Sequence, residues 1–147
     1  MMIGTSPSYL LGRFMFELDR AADHLLQEQV GITYKRALFL LVLQHAGTVT
    51  QHELAVALGY SDPAVSMMVV ELAKDGYIQA TRSKTHGRKR LVTITPKGSE
   101  MVAQGRQLLD EHFDQLLALA DVDVQQLREI TERLYQALMI KLKKEQA

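Results

Sequence analysis

The sequence predicts a mainly α-helical fold with a small β-hairpin wing: a winged helix-turn-helix joined to a helical dimerisation lobe. Three observations within residues 49–98 predict it. Two short helical stretches with cap signals follow each other, separated by a few residues that begin at Gly59. Two β-rich stretches around Gly87 come next, dense in lysine and arginine. Thr95-Pro96 then opens a long helix, with a cap residue before a proline at the first position.

The bounds agree with a single domain. The chain has 147 residues, 47% of them hydrophobic, enough to build a core. It has no cysteine, which excludes disulfides, thiolate metal sites and thiol-based sensing. No apolar run reaches membrane-spanning length, and Glu17 and Asp19 interrupt the first one. No basic-then-apolar leader is seen at the N-terminus, so a cytoplasmic location and no membrane partner are expected.

The elements follow in order. Residues 9–29 place Leu11, Phe14, Leu18, Ala22, Leu25 and Leu26 at helical spacing, and Gly31 breaks the run. Thr33 offers an N-cap for a helix through His45, which Gly47 ends. Thr50-Gln51-His52-Glu53 is a capping box, with Val49 and Leu54 at the staple positions. Leu54, Ala55 and Leu58 would face inward. Ser61 or Asp62 caps the next helix, with Pro63 in its first turn. Gly76 ends it in a left-handed conformation.

On that helix Val65, Met68, Val69 and Leu72 fall on one stripe and must be core. The opposite stripe is Pro63, Met67, Val70 and Lys74, flanked by Ala64, Ser66 and Glu71. In a helix-turn-helix this outer stripe enters the major groove of double-stranded DNA. It lacks the arginine, asparagine and glutamine that commonly read bases. Apolar side chains can still meet a thymine methyl, and Ser66 can bond to several base edges. The candidate readers are therefore Asp62, Pro63, Ala64, Ser66, Met67, Val70 and Lys74.

Formal net charge is zero, yet the segment between Gly76 and Ser99 holds no acid and carries Arg82, Lys84, Arg88, Lys89, Arg90 and Lys97. A local basic stripe sets the field that a phosphate backbone meets. Arg82, Lys84, Arg88, Lys89 and Arg90 are the candidate wing contacts. Arg88 sits beside Gly87, placed to enter a minor groove.

The last two helices carry Met101, Val102, Leu108, Leu109, Phe113, Leu116 and Leu117, then Val124, Leu127, Ile130, Leu134, Leu138 and Leu142. With the first helix they offer more apolar face than a small winged helix covers. A second copy of the chain is the expected partner, and an intrachain helical hairpin is the alternative.

The chain resembles the multiple-antibiotic-resistance regulator (MarR) family of bacterial transcription factors. The resemblance rests on GITYKRALFLLVLQHAGTVTQHELAVALG, SDPAVSMMVVELAKDGYI and the junction RKRLVTITPKG, in that order. It implies one MarR-like domain over 1–147, a winged helix-turn-helix lobe at 32–98, and a dimerisation lobe from 1–31 and 99–147. It also implies a homodimer that represses genes and releases DNA when a small aromatic or phenolic effector binds between the lobes. His24 and Tyr34 are the candidate effector-pocket residues.

Two positions depart from the family pattern. The aspartate usual two residues before the wing arginine is His86 here. Neutral histidine could accept a hydrogen bond, but imidazolium would repel Arg88, so wing order is expected to depend on pH. Met67 stands where an arginine or other polar residue is frequent. His24, His45, His52 and His112 form no ligand set, so no metal or other cofactor is expected, although His45 and His52 could approach near Gly47. No phosphate loop or nucleophile motif points to an enzyme. The competing reading is a winged-helix dimer that binds a protein through Met67 and Val70.

Overall fold

Pro7 opens the first helix, α1 (Pro7–Val30), where its missing N–H costs little. Gly31 ends it with φ 75°, donating its N–H to the Leu26 carbonyl at 2.9 Å. The left-handed cap needs glycine because a Cβ would strain that conformation. Helix α2 (Tyr34–Ala46) follows, its cap Thr33 accepting the Arg36 N–H at 3.2 Å. The computed structural model describes residues 6–85, 87 and 89–146. The chain divides into two units, Met1–Leu109 and Asp110–Ala147, with one long helix running through the division.

Strand β1 (Val49–Thr50) leads directly into helix α3 (Gln51–Leu58). The predicted capping box forms: Thr50 Oγ1 accepts the Glu53 N–H at 3.2 Å, and Glu53 Oε2 accepts the Thr50 N–H at 2.7 Å. Helix α4 (Asp62–Lys74) is capped by Ser61, whose Oγ accepts the Ala64 N–H at 3.3 Å. Strands β2 (Ile78–Arg82) and β3 (Arg90–Ile94) form the hairpin, and helix α5 (Pro96–Ala120) begins after it.

The wing is more than the predicted hairpin. Val49 and Thr50 add a third antiparallel strand, in the order β1-β3-β2, with Thr50 opposite Leu91. The two β-branched residues read in the sequence as a staple and a cap; they also pair with the wing. The start of α3 is thereby tied to the strand that carries the basic tip.

The core of the first unit collects Phe39, Leu40 and Leu43 from α2, Leu54 and Ala55 from α3, and Val65, Met68, Val69 and Leu72 from α4. Ile78 and Val92 close it from the sheet, Leu26 from α1 and Val102 from α5. Each fully buried aliphatic chain contributes about 1.5–3 kcal/mol. The four residues expected as the inner stripe of α4 are all buried, and that fixes which face points away.

In the second unit, the end of α5 turns at Asp121 and Asp123 into helix α6 (Val124–Gln146). Asp121 adopts φ 53°, and Asp123 Oδ1 accepts the Gln126 N–H at 2.8 Å. Helix α6 has no buried residue, and Ile130, Leu134 and Leu138 are exposed.

Candidate nucleic-acid interface

Burial of Val65, Met68, Val69 and Leu72 turns the opposite face of α4 outward. Met67 is 67% exposed and Val70 58% exposed. Asp62, Pro63 and Lys74 are exposed beside them, while Ala64 and Ser66 are half-buried on the flank. The seven candidate readers thus divide into five that stand clear of the protein and two at the edge.

Both ends of α4 are held by other elements. At its start, His52 Nδ1 on α3 lies 3.0 Å from Asp62 Oδ1. Towards its end, Arg36 of α2 pairs with Glu71 through Nη2 and reaches Asp75 Oδ2 with Nη1 at 3.4 Å. Gly76 follows with φ 82°. Thr95 Oγ1 donates to the Gly76 carbonyl at 2.6 Å and accepts the Gly98 N–H at 3.1 Å, so one hydroxyl closes one helix and caps the next. Lys97 Nζ donates to the Asp75 carbonyl at 2.7 Å and lies 4.9 Å from the centre of the Tyr77 ring. A cation at a helix C-terminus complements its dipole. Lys97, part of the basic stripe in the sequence, has a structural use here.

The start of α5 comes very close to the hairpin. A Cβ at Gly98 would lie 2.7 Å from Ile94 Cγ1 and closer still to the Tyr77 carbonyl oxygen.

At the wing, the Ser83 N–H donates to the Lys89 carbonyl at 2.8 Å and closes the hairpin. Ser83 is buried, its Oγ 3.1 Å from Thr85 Oγ1. Arg82, Lys84, Lys89 and Arg90 are all exposed, and among the described residues none forms an ion pair with a carboxylate. Arg82 and Arg90 are directly opposite each other across β2 and β3. Like charges opposite each other weaken a hairpin. Arg88, the predicted minor-groove residue, and His86 lie outside the described residues.

Glu53 connects the helical and wing parts electrostatically. The Thr50 backbone and side-chain hydrogen bonds hold its carboxyl below the ordinary glutamate value, with Lys89 and His52 adding to the effect.

The remaining sites are separate. His24 is exposed, its Nε2 3.3 Å from Glu28 Oε1. Tyr34 is half-buried; burial raises its phenol above the ordinary value, with Asp19 and Tyr60 contributing. Its backbone N–H donates to Asp23 Oδ1 at 2.8 Å, joining α1 to the start of α2. His45 turns to the Leu41 carbonyl and His52 to Asp62, so these two histidines are not brought together. Among the described residues no cluster of three or more metal-binding side chains occurs. No single helix there is long and apolar enough to cross a membrane.

Reading the sequence missed the contacts made by Arg36, His52 and Lys97. Lys97 did leave a signal: it directly follows the Thr95-Pro96 helix start, where its side chain can reach back to the preceding helix. Arg36 left none, because its partners lie 35 and 39 positions away.

A buried inner stripe, an exposed outer stripe and a basic hairpin at its side define a winged helix-turn-helix. A family model described as the MarR family matches residues 30–89. Wild-type MarR from E. coli in its apo form is similar in structure, with TM-score 0.78 and 20% identity over 92% of this chain and 98% of that one. The transcriptional regulator BldR from Sulfolobus solfataricus superposes with TM-score 0.76 and 19% identity, covering 90% of this chain and 91% of its own. The S. aureus MepR–DNA complex gives TM-score 0.74 and 24% identity, over 92% and 98% of the two chains. No curated protein sequence matches the chain. The MarR-family match covers the winged-helix segment, residues 30–89, and the fold of the whole chain is that of these regulators.

Proposed function

We propose that this protein is a sequence-specific, DNA-binding transcription regulator: a ligand-responsive repressor acting as a homodimer on a pseudo-palindromic operator. The observation that carries the reading is the Arg82–Arg90 pair. Two like charges face each other across the β2–β3 hairpin with no carboxylate partner among the described residues. The repulsion is tolerable where a polyanion neutralises it. Lys84 and Lys89 extend the same field, and Arg88 would add to it. Asp62, Pro63, Ala64, Ser66, Met67, Val70 and Lys74 then supply the surface that meets base edges.

The labour is divided unevenly. The wing cations supply affinity for the backbone, which carries no sequence information by itself. Met67 and Val70 discriminate through thymine methyl groups. Support for a dimer comes from apolar residues left exposed in the single chain: Tyr9, Leu10, Leu11, Phe14 and Met15 on α1, and Ile130, Leu134 and Leu138 on α6. Exposed apolar area of this kind marks interaction surfaces. A two-fold dimer addresses half-sites about 34 Å apart. Tyr34, with its partly buried phenol, is the stronger of the two effector-site candidates, and His24 the weaker.

The exposed Met67 and Val70 also favour a second reading, in which this face binds a protein. The test is affinity for duplexes selected from a random pool, measured across a salt series. A DNA reader enriches a sequence, and log K falls with log salt by about 0.9 per neutralised phosphate. A chain that enriches no sequence at any salt belongs to the second reading.

A further inference from the structure

We propose that Arg36 is a positioning residue for sequence reading: its grip on Glu71 and Asp75 sets the pose of the outer stripe of α4. The inference rests on the DNA-reading function proposed above. Arg36 projects from the first turn of α2, well away in sequence from the helix it holds. Its guanidinium pairs with Glu71 through one terminal nitrogen and with Asp75 through the other. Glu71 lies in the last turn of α4 and Asp75 is its C-cap, four residues on, so the planar fork spans the C-terminal end of that helix. Its side chain is 29% exposed, whereas Glu71 and Asp75 are 50% and 45% exposed, so only the guanidinium side of the network is sheltered from solvent.

Arg36 is itself fixed. Its backbone N–H is bound by the Thr33 cap, and the next turn packs Phe39 and Leu40 into the core. The adjoining Tyr34 N–H is bound to Asp23 of α1. A rigid donor thus grips the half of α4 that carries Val70 and Lys74. The other half, with Met67 and Ser66, is located by the Ser61 cap and the buried Val65. Losing the grip would leave the inner stripe in the core but let the C-terminal half of α4 pivot on it. Phosphate contacts tolerate such a shift, because charge acts over several ångströms. Thymine methyl contacts do not, because dispersion fails within a fraction of an ångström beyond contact.

The geometry also separates Arg36 from the wing cations. Its charge is already compensated by two carboxylates, so it is no phosphate contact of its own. Its removal frees those carboxylates, which weakens all DNA alike, and the positioning role is the additional loss on the selected duplex at an unchanged salt slope.

The test uses the full chain, a duplex that the wild-type protein selects from a random pool, and poly(dI-dC) as non-specific DNA. The readout is the ratio of the two affinities at fixed salt, with the salt slope and thermal unfolding measured beside it. Arg36→Ala should lower the ratio several-fold, up to about 5-fold, the scale of a half-exposed ion-pair network. Its slope should remain that of wild type. Glu71→Gln removes the same pair from the exposed side of α4 and should lower the ratio as well. The double variant should be no worse than the poorer single variant, as shared contacts require. Arg36→Lys, with one point charge, should lie between Ala and wild type. If Arg36→Ala does not fold, Glu71→Gln and Arg36→Lys decide the matter. An unchanged ratio in a discriminating protein, or equal loss on both DNAs, overturns the positioning role alone. A wild-type chain that selects no sequence overturns both this role and the DNA-reading function.

Discussion

His52 Nδ1 lies 3.0 Å from Asp62 Oδ1, and this contact joins the first turn of α3 to the first turn of α4. Both side chains are largely exposed, so the pair contributes less than about 1 kcal/mol to stability. Its interest is electrostatic. Asp62 suits the N-terminus of a helix, but a carboxylate there opposes incoming phosphates. Asp62→Asn should tighten binding to all DNA sequences several-fold with little change in Tm. Titration on selected and non-specific duplexes checks this. Selective loss on the selected duplex would mean that Asp62 accepts a hydrogen bond from a base, such as a cytosine amino group.

The Arg82–Arg90 pair leads to opposite signs in the free and bound protein. Arg82→Gln relieves repulsion across the hairpin, so the free chain should unfold at the same or a slightly higher temperature. The same change should weaken every DNA complex and flatten the salt slope by about 0.9 for the lost phosphate contact. Lys84→Gln and Lys89→Gln should flatten it similarly. Calorimetry and a salt series on the same samples check both signs.

Met67 and Val70 should behave differently from the wing. Both are exposed, so Met67→Ala and Val70→Ala should change stability by no more than about 0.5 kcal/mol. Binding to a selected duplex should fall only where it carries thymine at particular positions. Replacing those thymines with uracil, which lacks the methyl, should erase the difference between wild type and variant.

Glu53 gives a pH dependence with a defined sign. Thr50 holds its carboxyl below the ordinary glutamate value in the folded chain. A lowered folded value means that the stabilisation is complete above the unfolded-state pKa. It is lost as pH falls through the lowered value in the fold. Glu53→Gln should remove that component: the Tm difference from wild type should shrink as pH drops below the ordinary carboxylate range. A difference that stays constant with pH would mean that the capping box contributes nothing through its charge.

Gly98 should tolerate no side chain. The Cβ of Gly98→Ala would press on the Tyr77 carbonyl and Ile94, and neither is the free end of a flexible chain. We expect a loss of about 2 kcal/mol or more, read by denaturant unfolding.

Much of this was legible in the sequence because it depends on neighbours along the chain. The Thr50–Glu53 box and the Ser61 cap need residues three apart, and Val65, Met68, Val69 and Leu72 need only helical period. Burying that stripe leaves Met67 and Val70 outside, so the outer face of α4 followed from local pattern alone. The excess of lysine and arginine after Gly76 was equally plain, and so was the order of elements that carries the resemblance to the MarR family.

Tertiary structure decided which of those charges remain available and what holds α4 in place. Lys97 is committed to the Asp75 carbonyl, whereas Arg82 and Arg90 are set opposite each other by strand register. Val49 and Thr50 became a strand because β3 lay alongside them. Arg36 found Glu71 and Asp75, and His52 found Asp62, only once the core had brought three helices together. The sequence by itself determined the elements and their inner faces, because periodicity and capping act within a few residues. The pairing of charged groups waited on the fold: side chains distant along the chain are placed by core packing, and no local pattern encodes that distance.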